Sequence, residues 1–252
     1  IRDRSPSRGL GDVYKREHRM RPRRSPQWPL LLLLASCSAV AGVVALMPVH
    51  ADGIATLRVG SRDLRVSEGA ALTIDSGARI WDSGLALSSI LGSEPSLTGK
   101  RVLELGSGTG VGGLAAAAAG AQVLLSDLPD NVPLLGANIR ANNIEYAAQA
   151  VQLRWGCEED EYNVALNGHF DIICGSDILY APNTFDDLLS TVVKLSTPRS
   201  TQLLLTYPTR YTEDIFFDEA SAYFEEIETF EVRGLDIDNV WCSRLIRTES
   251  QP

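Results

Sequence analysis

The chain has 252 residues, 44% of them hydrophobic and 22% charged, with a formal net charge of −9. The charge is uneven: residues 1–50 carry nine Lys/Arg against three Asp/Glu, a net of +6, whereas residues 51–252 carry 14 against 29, a net of −15. Behind the basic front segment about 200 residues remain, enough for one domain with a sizeable core. An acidic body disfavours a nucleic-acid backbone as partner and suits a basic protein segment.

The shift in charge marks residues 1–51 as a leader and 52–252 as the folded domain. Ser25 to Val49 is uncharged, and Leu30 to Met47 within it is an 18-residue, mostly apolar run. As a helix that run would be about 27 Å long, close to the roughly 30 Å hydrocarbon core of a bilayer. Arg21, Arg23 and Arg24 flank it, and Val49-His50-Ala51 resembles a small-residue cleavage site. Three readings stay open: a cleaved signal or transit sequence, a membrane anchor, or a translated leader foreign to the protein. The first two imply an organelle or membrane location, with membrane contact through Leu30–Met47. The third implies the cytoplasm.

Within the domain, Thr56–Val59 and Leu64–Val66 flank Gly60-Ser61-Arg62-Asp63 and read as a hairpin. Trp81–Leu91 has helical spacing. Arg101–Leu105 is the first core strand, and Val111–Ala119 is a helix closed by Gly120. Gly112 and Gly113 inside that helix each cost about 1 kcal/mol relative to Ala, which implies a close backbone approach. Ala121–Leu125, Val151–Trp155, Phe170–Gly175 and Gln202–Tyr207 read as further strands. Pro133–Asn142, Phe185–Leu195 and Glu213–Phe224 read as helices, and Glu158–Glu161 as a solvated acidic turn. Ile227–Val232 and Val240–Arg247 close the chain as two strands. The alternation predicts an α/β fold whose mostly parallel sheet carries helices on both faces. Ligands of such sheets bind at the carboxyl ends of the strands.

Cys157, Cys174 and Cys242 are widely spaced and match neither a zinc pattern nor a disulfide scaffold. His169 is the domain's one histidine and reads as a surface residue.

The most informative stretch is Arg101-Val-Leu-Glu-Leu-Gly-Ser-Gly-Thr-Gly110. A strand runs into a glycine turn and then a helix, and Asp127 follows Gly106 by 21 residues at the end of the next apolar run. That layout binds a nucleoside, with its ribose on the second acid. Counted from Gly106, the dinucleotide pattern Gly-x-Gly-x-x-Gly fails at Val111. Counted from Gly108 it fits through Gly110 and Gly113, but starts two residues late. A nicotinamide site and a turn with no ligand both remain open here. The frame Glu-x-Gly-x-Gly-x-Gly resembles the first motif of S-adenosylmethionine-dependent methyltransferases.

Other strand ends converge on the same rim. Trp155 either stacks on adenine or packs in the core. Asp177 and Tyr180, three residues apart, either face one space or form an N-cap with a packed ring.

With these pieces in order, the chain resembles the seven-stranded protein-lysine methyltransferases of methyltransferase family 16, the methyltransferase-like 21 group. The resemblance spans roughly Thr56 to Arg247. It rests on Trp81-Asp82-Ser83-Gly84, Gly99 to Gly110, Ser126-Asp127-Leu128-Pro129, the pair Asn138 and Asn142, Trp155-Gly156, Phe170-Asp171 and Asp177-Ile178-Leu179-Tyr180. It implies a Rossmann-like class I methyltransferase sheet with an N-terminal hairpin extension and S-adenosylmethionine as cofactor. The implied cofactor-binding residues are Trp81, Glu104, Gly106, Gly108, Gly110, Asp127, Trp155 and Ser176, with Glu104 toward the cationic methionine end. Asp177 would capture and orient a lysine ammonium, Tyr180 and Trp81 would wall its channel, and no metal is required. A monomer acting on a lysine-bearing, basic protein segment is expected. Two alternatives remain at this point: transfer to a small molecule or another side chain, and a non-catalytic binding module on the same fold.

Overall fold

A computed structural model describes residues 44–47, 54–69, 79–233, 235 and 237–249. Apart from 44–47, the expected leader of residues 1–51 lies outside the described residues. Among the described residues no helix is long and apolar enough to cross a membrane.

The expected hairpin is β2 (Ile54–Val59) and β3 (Arg62–Ser67), turning at Gly60. Its register pairs Leu57 with Leu64 and Ala55 with Val66, so alternate residues bury one face. β1 (Val44–Met47) adds to the other edge of β2. The end of the Leu30–Met47 run is therefore strand rather than helix. Its backbone groups pair with an edge of β2 that would otherwise be open.

After α1 (Asp82–Gly92) the chain alternates. It forms β4 (Arg101–Leu105), α2 (Val111–Ala118), β5 (Gln122–Asp127), α3 (Val132–Ala141), β6 (Ala148–Gln152) and α4 (Glu158–Ala165). Then come β7 (Ile172–Ser176), α5 (Phe185–Leu195), β8 (Gln202–Pro208), α6 (Glu213–Ala220), β9 (Phe224–Glu231) and β10 (Val240–Arg247). The seven-stranded sheet has the order β6-β5-β4-β7-β8-β10-β9. Only the pairs β8–β10 and β10–β9 are antiparallel. The winding reverses between β4 and β7, which opens a crevice at their carboxyl ends.

Alternation along the strands divides the core. Val102, Val123, Leu125, Cys174 and Leu204 pack with α1–α3 and the N-terminal sheet. Leu103, Leu105, Leu124, Ile173, Leu203 and Leu205 pack with α4–α6. Helices cover both faces, as the sequence predicts.

The asparagine pair has a structural task. Asn138 Oδ1 accepts from Ser67 N at 2.9 Å, and its Nδ2 donates to Ser67 O and to Thr109 O. Asn142 makes the same two-way pairing with Arg65 N and O, each at 2.7 Å. Four residues of helix rise about 6 Å and two residues of strand about 6.7 Å, so one face of α3 matches the edge of β3. This ties the N-terminal sheet to the glycine turn through Thr109.

A second element differs in kind from expectation. Glu158–Glu161 is the first turn of α4, not a solvated turn. Four acids there suit the positive end of a helix, and Asp160 and Glu161 are each only 4% exposed. Asp160 accepts from Arg154 N, Nε and Nη2 and from Gln152 Nε2. The Arg154 bonds hold its carboxyl well below the usual carboxylate range. Glu161 accepts from Thr191 Oγ1 and Lys194 Nζ, each at 2.7 Å. Elsewhere β6 begins and ends three residues earlier than Val151–Trp155, and α6 stops at Ala220, short of Phe224.

Candidate active site

The crevice between β4 and β7 opens into a cavity of about 660 Å³. Eight of the ten residues expected from sequence line it: Trp81, Gly106, Gly108, Asp127, Trp155, Ser176, Asp177 and Tyr180. They arrive from four strand ends and from the segment ahead of α1.

Gly106 shows why the turn is glycine. Its φ is +56°, and a Cβ there would lie 2.9 Å from Ile178 Cγ2 and 3.5 Å from Trp155 Cζ2. The turn is thus closed against the β7 loop by a bare backbone.

The Asp127 carboxylate, 7% exposed, closes the far side. Oδ2 accepts from Gly108 N at 2.6 Å; Oδ1 accepts from Leu128 N at 2.7 Å and Asn131 Nδ2 at 3.0 Å. A carboxylate offers about four acceptor positions and these bonds use three, so one on Asp127 remains for a ligand hydroxyl. Asn131 was not anticipated; its position four residues after Asp127, at the start of α3, is the signal that would have revealed it.

Trp155 leans on the core yet faces the cavity, so both readings of it hold in part. Its corner is fixed by Gly156 N donating to Thr191 Oγ1 at 2.9 Å, which in turn donates to the buried Glu161. The acids of α4 therefore set the position of this wall.

Two expected residues do not reach the cavity. Glu104 is 1% exposed and lies beneath the turn, where its Oε2 accepts from Gly113 N at 3.0 Å. It points to the α2 face because β4 alternates, the same face that buries Val102. Burial pushes its carboxyl up to about 8, so the acid is mostly protonated at neutral pH. The close approach implied by Gly112 and Gly113 is made to this side chain: a Cβ on Gly112 would lie 2.5 Å from Glu104 Oε1. Gly110, the N-cap of α2, faces Leu135 Cδ2, which would lie 2.9 Å from its Cβ.

Asp177 and Tyr180 do not form the N-cap arrangement. Asp177 has φ +56° and follows β7, while Tyr180 is 56% exposed at the mouth. The Asp177 carboxylate meets the guanidinium of Arg210 in a two-point pair, Nη1 to Oδ1 and Nη2 to Oδ2. Arg210 lines the cavity and was missed: it stands alone after Pro208 with no motif around it. Arg79, also unanticipated, lies over the Trp81 ring at 6.0 Å from its centroid.

His169 lies at the opposite ends of the strands. Its Nε2 is 3.1 Å from Ser200 Oγ, but its Nδ1 faces Thr197 Oγ1, so no carboxylate orients it for nucleophilic chemistry.

A parallel sheet reversing at β4/β7, an antiparallel final pair and a glycine turn over an acid at the switch point define the class I methyltransferase architecture. A Streptococcus mutans protein described as a SAM-dependent methyltransferase shares this fold at TM-score 0.58 and 15% identity, over 77% of this chain and 55% of that one. The family model described as lysine methyltransferase matches residues 60–229, and the chain belongs to that family. Among its relatives, protein N-lysine methyltransferase METTL21A of Danio rerio is 38% identical over 54% of this chain and 63% of its own length. The Xenopus tropicalis protein of the same name is 34% identical over 64% of this chain and 74% of its own length. The match to the Danio rerio protein thus spans less than two thirds of that relative.

Proposed function

We propose that the chain is an S-adenosylmethionine-dependent protein-lysine N-methyltransferase. The observation that carries this reading is the meeting of the glycine turn, Asp127 and Trp155 with Asp177 and Tyr180 around one cavity. The residues fit the cofactor: the side-chain-free turn at Gly106 and Gly108 lines the cavity, and Asp127 keeps acceptor capacity beside it. The cavity volume also lies within the roughly 300–1,000 Å³ usual for small-molecule sites. Gly106, Gly108, Asp127 and Trp155 would hold the nucleoside end, with Ser176 and Trp81 at the other. When bound, S-adenosylmethionine supplies an electrophilic methyl carbon on a sulfonium.

The protein's own task is to present a neutral amine in line, since fixed placement can contribute about 7–11 kcal/mol. A lysine amine of ordinary pKa about 10.4 arrives protonated. Trp81 and Tyr180 offer ring faces to that cation and an apolar wall that favours proton loss to water. Asp177 accepts an N–H of the amine and fixes its direction. Glu104 holds the turn from below instead of contacting the ligand.

Incubation of the full chain with tritiated S-adenosylmethionine and a cell extract tests this reading. Label in protein supports it; label confined to small molecules, or none, overturns it.

A further inference from the structure

We infer that Arg210 is a positioning residue of the acceptor site: it stays bound to Asp177 during turnover and neutralises it, so that Asp177 orients the incoming amine without holding it protonated. This rests on the proposed lysine methyl transfer.

A bare carboxylate beside a lysine favours the ammonium, which has no lone pair to attack with. A carboxylate paired with guanidinium carries no net charge but still accepts hydrogen bonds. Asp177 offers about four acceptor positions, and Arg210 uses two of them. An amine can therefore bind Asp177 while Arg210 remains in place.

The surroundings fix Arg210. Its backbone N–H donates to both oxygens of Glu213, at 3.1 and 3.3 Å, at the start of α6. Thr212 Oγ1 donates to Leu179 O at 2.8 Å, and Asp177 N donates to Thr206 O at 2.8 Å. The loops after β7 and β8 are thus joined on both sides of the ion pair. Each loop carries a left-handed non-glycine residue, Asp177 at φ +56° and Tyr211 at φ +67°. Such conformations persist where the surrounding contacts enforce them, and they gather at functional sites.

The other charged or titratable groups around the cavity do not replace Arg210. Arg79 lies over Trp81, and Arg154 is bound to Asp160. Asp127, Asp130 and Asp187 add negative charge, and Tyr180 is at the mouth.

The test measures initial rates of tritium incorporation from S-adenosylmethionine into heat-treated cell extract between pH 6 and 10, with extract dilution giving an apparent KM. For Arg210→Gln, the alkaline rise in rate moves up by about one pH unit, roughly a tenfold loss at pH 7, while the apparent KM falls. Arg210→Lys keeps a cation at Asp177 and restores most of the wild-type pH profile. Calorimetry with S-adenosylmethionine alone gives the same affinity for all three proteins. An unmoved profile in Arg210→Gln, or a faster rate at pH 7, overturns the inference; the second result would make Arg210 a competitor of the substrate. Equal loss in Arg210→Lys and Arg210→Gln, or loss of cofactor affinity, also overturns it. Absence of transfer by the wild-type chain would instead refute the proposed function.

Discussion

Glu104→Gln isolates the energetic consequence of placing an acid beneath the glycine turn. The carboxyl is pushed from an ordinary 4.5 to about 8, first by burial and only partly offset by the Gly113 N–H bond. Between those values the folded chain binds a proton that the unfolded chain has released. Stability therefore falls as pH rises through this window and levels off above it. At about 1.36 kcal/mol per pH unit, the loss from this one group is on the order of 4–5 kcal/mol across the window. Glutamine keeps the acceptor for Gly113 N–H and cannot ionise. Asp160 and Asp171 are shifted downward and act at lower pH, and Cys174 is pushed well up and acts at higher pH. Urea unfolding at pH 5, 6, 7 and 8 then shows wild-type stability declining and Glu104→Gln nearly level, so the variant becomes the more stable protein toward pH 8. Parallel curves would refute the buried-acid account. Because Glu104 does not line the cavity, S-adenosylmethionine affinity changes by less than about threefold in the same variant.

Asn138→Ala strands the part-buried Ser67 N–H and O and the buried Thr109 O and destabilises by about 2–3 kcal/mol in urea unfolding, whereas the more exposed Asn142→Ala loses about 0.5–1.5 kcal/mol. The reverse order would contradict the edge-pairing account. Gly106→Ala sets a methyl against Ile178 at a left-handed position and weakens cofactor binding at least about tenfold by calorimetry, with helical circular dichroism retained. Unchanged affinity would remove the turn from the site. Asp177→Ala loses methyl transfer but largely retains cofactor binding, and equal loss of both would contradict its assigned role.

The fold was legible because its strands and helices are strongly periodic and its turns carry glycine. The cavity was legible because parallel strands must present their carboxyl ends on one rim. Glu104 illustrates a reading by sequence neighbourhood where alternation was the better guide: it shares a face with Val102, toward α2, rather than a place beside Gly106. The acids of α4 look solvated in sequence because their partners are remote; Lys194 lies 33 residues from Glu161. The sequence pattern places β6 late because Val151, Leu153 and Trp155 outweigh the bland Ala148-Gln-Ala of its true start. Arg210 was invisible for a similar reason, since its meaning comes from Asp177, 33 residues away.

Lysine methylation is tested most directly by the chemical identity of the labelled residue. The full chain is incubated with tritiated S-adenosylmethionine and heat-treated extract, and the labelled protein is hydrolysed to amino acids and separated. Tritium is expected in methylated lysine, and none when Asp177→Ala replaces the wild type. Tritium in methylated arginine, histidine or carboxylate esters, or no labelled protein at all, would contradict lysine methylation.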